Sequence, residues 1–82
     1  MSGYREKVVK EAERISKKEG LNELLDLGIT NLTDLQKWLV RELYYEAKEK
    51  GDKSCVAIKN ELCSEYAVSV SMIEKLIYRD LT

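Results

Sequence analysis

The sequence contains no histidine, no proline and no phenylalanine, and only four of its 82 residues are glycine. Histidine is the side chain that most readily exchanges protons near neutral pH, so its absence argues against acid–base catalysis. The chain also lacks a glycine-rich phosphate loop and any pairing of cysteine or serine with histidine, which are features of nucleotide-binding and nucleophilic enzymes. We therefore expect neither an enzyme nor a bound cofactor.

Cysteine is equally scarce. The two cysteines, Cys55 and Cys63, lie in one predicted helix, about 12 Å apart at a rise of roughly 1.5 Å per residue. That separation is too long for a disulfide bond. Without histidine or a C-x-x-C motif, a zinc site would have too few ligands. We expect two reduced cysteines and no metal.

Long hydrophobic runs are also missing. No stretch of the sequence approaches the roughly 20 apolar residues that a helix needs to cross a bilayer. No signal peptide is recognisable before the first predicted helix. Together with the reduced cysteines, these features predict a cytoplasmic protein with no membrane partner.

Neither sign of charge dominates the chain. Lysine and arginine total 14 and aspartate and glutamate total 15, which gives a net charge of −1. A strongly basic chain would indicate a nucleic-acid partner directly, and this one does not. Bases nevertheless outnumber acids from Tyr4 to Lys18. A basic surface would therefore have to be assembled by folding.

The scarcity of helix breakers, together with abundant glutamate, lysine and leucine, predicts an all-α protein. We expect one domain over residues 1–82, a compact bundle of about five helices, because a chain of this length can bury only one small core. Within this domain we expect the helices of residues 1–53 to supply the core and an interface. Residues 54–82 form a C-terminal pair of helices.

Capping residues and apolar spacing predict the first two helices. The first runs from about Gly3 to Glu19, between an N-cap at Ser2 and a glycine stop at Gly20. A short leucine-rich helix follows, capped by Asn22 and closed by Gly28.

The next two helices are predicted in the same way. The third is capped by Asn31 or Thr33 and ends at Gly51, and the fourth is capped by Asp52 or Ser54. The third helix carries the only tryptophan and is expected to form the centre of the core. Its predicted buried stripe consists of Leu35, Trp38, Leu39, Leu43 and Ala47.

The stretch from Lys59 to Arg79 has the spacing that two helices require when they pack across a tight turn. Such a pair needs a small residue where the helices cross, a small turn residue four positions later and an apolar residue after it. A branched apolar residue six positions beyond the turn then fixes the second helix, which here is expected from Val70 to Arg79. The residues at these positions are Cys63, Ala67, Val68 and Ile73.

This stretch resembles the helix-turn-helix segment of bacterial, archaeal and phage transcription regulators, in which "YGVS" before a serine- or threonine-rich helix start is common. The present chain reads "YAVS" at residues 66–69, with Ser69 as the expected N-cap. The resemblance covers about a quarter of the chain. It departs at Ala67, because alanine is strained if that residue must adopt a positive φ.

The resemblance implies that the second helix enters the major groove of double-stranded DNA. Ser71 and Lys75 would hydrogen-bond base edges, and Val70 would meet a thymine methyl group. It also implies a homodimer, because one short helix reads few base pairs, and a role in transcription regulation or a mobile-element process. The full set of expected DNA-binding residues is Ser69, Val70, Ser71, Glu74, Lys75, Tyr78, Arg79 and Lys53.

An alternative interpretation is a helical protein–protein adaptor that does not bind DNA. Tyr44 and Tyr45 are adjacent and cannot both face one core, so one of them, or Val40, is expected to leave an apolar spot on the surface. The last helix would then pack on a protein partner. Only three bases and three acids lie between Lys59 and Arg79, which suits this alternative because DNA binding draws on phosphate neutralisation.

Overall fold

A computed structural model describes the backbone of residues 3–79 and the side chains of residues 3–78. Within that range the chain forms helices without any strand, so the all-α prediction is confirmed. The expected N-cap Ser2 lies outside the described residues. The described helices are α1 (Gly3–Ser16), α2 (Leu21–Asp26), α3 (Leu32–Lys50), α4 (Cys55–Glu65) and α5 (Val70–Arg79).

The helices fall into two compact units, with the boundary inside α3 between Leu39 and Val40. In the first unit α1 packs on α2. The Arg5 guanidinium of α1 donates to the Asp26 carboxylate at 2.7 Å and to Asn22 Oδ1 at 3.2 Å. The buried apolar side chains of this unit are Val8, Val9, Ala12, Leu21, Leu35 and Leu39.

Helix α1 ends three residues earlier than predicted. Lys17 takes a left-handed φ of 58°, and its amide donates to the Glu13 carbonyl at 2.8 Å. This conformation terminates the helix at Ser16, whereas Gly20 serves as the left-handed residue before α2, with φ 81°. Gly20 therefore lies at the start of α2 and does not end α1 as predicted. The prediction failed because a lysine is not expected to adopt the left-handed conformation that ends a helix.

Replacing Lys17 with glycine is expected to raise the free energy of unfolding by about 0.5 kcal/mol. Glycine adopts a positive φ without the cost of roughly 1 kcal/mol that a lysine pays, and its greater freedom in the unfolded chain offsets part of this gain. Urea denaturation followed by far-UV circular dichroism measures the change. Lys18→Gly is the control, since Lys18 has no positive φ and glycine there should destabilise.

The start of α2 also differs from the prediction. Asn22 lies inside the helix and accepts from Arg5, and the N-cap position is Gly20, which has no capping side chain. The Leu21 amide instead donates to the Glu13 carboxylate of α1 at 3.4 Å. The amide at the start of α2 thus has its hydrogen-bond acceptor on another helix. The sequence around Leu21 does not reveal such a partner.

The open choices at the later helix starts are resolved by hydrogen bonds. Asn31 Oδ1 accepts from the Asp34 amide at 2.9 Å, so Asn31 rather than Thr33 caps α3. Ser54 Oγ accepts from the Ala57 amide at 3.2 Å, so Ser54 rather than Asp52 caps α4. The predicted end of α3 before Gly51 is confirmed.

The buried face of α3 is rotated from the predicted stripe. Leu35 and Leu39 are buried as expected, but Trp38, Leu43 and Ala47 are only half-buried. Val40 and Tyr44 are buried instead, with 0% and 5% of their surface exposed. Of the three residues expected to leave an apolar spot, Val40 and Tyr44 are therefore buried, and only Tyr45 is partly exposed, with its ring edge-on to Tyr44.

Candidate nucleic-acid interface

The second unit contains the C-terminal helix pair, in which α4 packs against α5. Ile58 of α4 and Ile73 of α5 are among the most deeply buried side chains, at 2% and 0% exposed. The spacing of Ile73 and Ile77 places both on one face of α5, and both are buried. The opposite face of α5 is consequently left to solvent.

The connection between the helices is a short turn over residues 66–69. The Val68 amide donates to the Tyr66 carbonyl at 2.8 Å, which closes a three-residue turn around Ala67. Among the described non-glycine residues only Lys17 has a positive φ. Ala67 therefore takes a conformation that alanine tolerates, and the departure from glycine at this position introduces no backbone strain.

The four residues expected to carry the packing are placed unequally. Ile73 is completely buried, Cys63 and Val68 are half-buried, and Ala67 is exposed. The turn is anchored more strongly by Tyr66, which is only 4% exposed. Ser69 is the N-cap of α5 as predicted, since its Oγ accepts from the Met72 amide at 3.1 Å.

The expected DNA-binding residues of α5 lie mainly on its solvent face. Ser71 and Lys75 are exposed, and they share a face with Tyr78, whose side chain is 56% exposed. Val70, at the first position of the helix, is 36% exposed. Arg79 is the last residue of α5, and its side chain lies outside those that the structure describes.

Glu74 differs from the other expected contacts because it already has a partner. Its Oε1 lies 3.7 Å from Nζ of Lys59 in α4, and the Lys59 side chain is only 16% exposed. Glu74 is the only acid in α5. Its charge is therefore opposed by a lysine of the neighbouring helix, which leaves Glu74 less free to accept from the amino group of cytosine, the contact expected of a carboxylate in the major groove.

Lys53, expected at the rim of the interface, lies in the loop before α4. Its Nζ is 2.7 Å from both carboxylate oxygens of Glu61. Both side chains are about half exposed, and such surface pairs contribute little stability and are weakened by salt. Lys53 can exchange this carboxylate for a phosphate, whereas Lys75 has no acidic partner among the described residues.

Cys55 begins α4 beside a tyrosine and a lysine of α3. Neither cysteine forms a disulfide in the structure, and both are half-buried, as predicted. A hydrogen bond from the Tyr44 hydroxyl lowers the pKa of Cys55, and a hydrogen bond from Lys48 adds a smaller effect in the same direction. The hydrogen bond with Cys55, together with burial, raises the pKa of Tyr44 to about 12.

The lowered pKa of Cys55 predicts that it reacts with iodoacetamide at a lower pH than an ordinary thiol. The thiolate is the reactive form, so the pH at which the rate is half-maximal should lie below the usual thiol pKa of about 8.5. Mass spectrometry of the alkylated chain over a pH series measures this midpoint. Lys48→Met should raise it, and the exposed control Lys50→Met should not.

Sequence reasoning missed Lys59, although it lies inside the motif. Its pairing with Glu74 spans two helices and depends on how they cross, which the spacing of charges along one chain does not give. The available signal was that Glu74 is the only acid of α5 and Lys59 the only base of α4.

None of the described helices is both long enough and apolar enough to span a membrane. Nor do the residues that the structure describes bring together three cysteine or carboxylate side chains as a metal site. No protein-family model matches this chain, and comparisons with curated proteins and with solved structures found no similar protein.

Proposed function

We propose that this protein binds double-stranded DNA through the solvent face of α5 and acts in transcription regulation or a mobile-element process. The observation that supports this most is the division of α5 into two faces. Ile73 and Ile77 are buried, and Ser71 and Lys75 are exposed on the far side. A helix anchored in this way can enter a major groove about 12 Å wide without disturbing the core.

The exposed residues of α5 have donors suited to this role. Lys75 is a cation with three donors, and Ser71 can donate or accept. Ser69 uses one oxygen lone pair for the Met72 amide, so its hydroxyl hydrogen remains able to reach a phosphate. Tyr78 and Lys53 would add phosphate contacts at the edges, where they fix orientation rather than sequence preference.

Two copies acting together are part of the proposal. Helix α5 has ten residues and is therefore about 15 Å long, which allows contact with only a few base pairs. A homodimer would present two such helices to half-sites about one helical turn apart. It would also double a cationic surface that is small in one copy.

The test is a fluorescence-anisotropy titration of the full chain with random-sequence duplex DNA at about 50 mM and about 200 mM salt. If Lys53 and Arg79 neutralise phosphates, the logarithm of affinity falls with a slope of about −1.8 against the logarithm of salt concentration, a loss of about 12-fold over this range. Twice that slope is expected for two copies per site. No binding at the lower salt contradicts the proposal.

A protein–protein adaptor is the second candidate, and an apolar loop favours it. Leu27 and Ile29, between α2 and α3, are 72% and 69% exposed. Gly28 between them has φ 74°, which fixes the turn that presents both side chains. A cavity of about 420 Å³ beside this loop is lined in part by Arg5 and Asn31.

The adaptor interpretation predicts that Leu27→Ser with Ile29→Ser abolishes capture of a partner from cell extract. The fold should persist, because both side chains are already largely in solvent. Comparison with a Val56→Ser variant controls for the loss of an exposed apolar residue, since Val56 is 66% exposed on α4. Equal protein capture by the loop variant and the native chain contradicts this candidate.

A further inference from the structure

We propose that Lys59 is a positioning residue that, by pairing with Glu74, leaves Lys75 as the guanine-reading residue of α5. This inference rests on the proposed DNA binding and specifies which base that site prefers. It assigns to Lys59 a role in specificity that is separate from any contact of its own with DNA.

Glu74 is the only acid in α5. A free carboxylate on the solvent face would repel phosphates and, in the groove, would accept from the amino group of cytosine. Glu74 Oε1 lies 3.7 Å from Lys59 Nζ. The Lys59 side chain is only 16% exposed, so salt screens this ion pair less than a pair between two fully exposed side chains.

The lysine beside Glu74 is open to solvent. Lys75 follows Glu74 directly and is exposed. Adjacent helical residues diverge by about 100° around the axis, so an acid held toward α4 does not face the lysine beside it. No carboxylate pairs with Lys75 in the part of the chain that the structure describes, and its ammonium is therefore available to a base.

The base edges differ in the acceptors that they offer to a lysine. Lysine has donors and no acceptor. In the major groove only guanine presents two adjacent acceptors, O6 and N7, without a donor between them. Lys75 therefore selects guanine, while Ser71, on the same face, discriminates weakly because a hydroxyl can pair with either kind of group.

Selection of bound sequences from random duplex DNA, followed by anisotropy on the selected site, tests the inference. The site should contain a guanine whose replacement by 7-deazaguanine weakens binding about tenfold in the native chain. In Lys75→Met the same replacement should have no effect, because the group that contacts N7 is gone.

A double-mutant cycle tests the role of Lys59. Lys59→Met should weaken binding about threefold when Glu74 is present and leave it unchanged in Glu74→Gln. Lys18→Met, in the first unit, removes the same charge as a control and should behave alike in both backgrounds. Circular dichroism confirms that each variant is folded.

The outcomes separate the two proposals. A selected site without guanine, a 7-deazaguanine effect that survives Lys75→Met, or equal effects of Lys59→Met in both backgrounds each overturn the inference while DNA binding stands. Failure of the native chain to bind any duplex overturns the proposed function and this inference together.

Discussion

Replacing Ile73 with alanine is expected to lower the free energy of unfolding by about 3 kcal/mol. The side chain is 0% exposed and belongs to the buried face of α5, so its loss removes apolar contacts and leaves a cavity that the helices can only partly fill. Small domains have total stabilities of about 5 kcal/mol or slightly more. A large part of the folded population would then be lost at moderate urea concentrations.

Urea denaturation monitored by far-UV circular dichroism measures this effect directly. Ile73→Val removes one methylene and should cost only about 1 kcal/mol. Val56→Ala is the matched control on α4, where a side chain that is 66% exposed should matter by less than about 0.5 kcal/mol. Equal losses for Ile73→Ala and Val56→Ala would show that Ile73 does not anchor α5.

Combining Ser71→Ala with Lys75→Ala is expected to weaken DNA binding by at least about tenfold without loss of stability. Both side chains are exposed on the solvent face of α5, and we propose that they make the base contacts. The contacts of each residue should contribute about 1 kcal/mol or more to the free energy of binding. Alanine is the best helix former, so the helix itself should be slightly favoured.

Anisotropy at about 50 mM salt gives the change in Kd, and the thermal midpoint gives the stability. The matched control is Ser64→Ala with Lys18→Ala, which removes one exposed serine and one exposed lysine from outside α5. An equal loss of binding in this control would indicate that total charge, rather than the face of α5, determines affinity.

Local interactions explain why several helix starts were predictable. The N-caps at Asn31, Ser54 and Ser69 each accept from an amide three residues later. Such a bond depends only on the backbone of one turn, so a capping residue before an apolar stripe is sufficient to locate it. The predicted start of α5 at Val70 was correct for this reason.

Interactions between helices explain the errors. The Leu21 amide at the start of α2 donates to the Glu13 carboxylate of α1. Glu74 of α5 likewise pairs with a residue of another helix, Lys59 of α4. The buried face of α3 was misjudged because apolar residues surround much of that helix, and neighbouring helices decide which of them are covered. The strain expected at Ala67 depended on a positive φ, and Ala67 does not have one.

The most direct test of the central claim, that the solvent face of α5 binds DNA, is an amide NMR titration of the isotope-labelled full chain with a random-sequence duplex. We expect salt-sensitive shifts concentrated at Ser71, Lys75 and Tyr78, with little change at the loop containing Leu27 and Ile29. A spectrum unchanged by DNA at about 50 mM salt, or shifts centred on that loop, would contradict it.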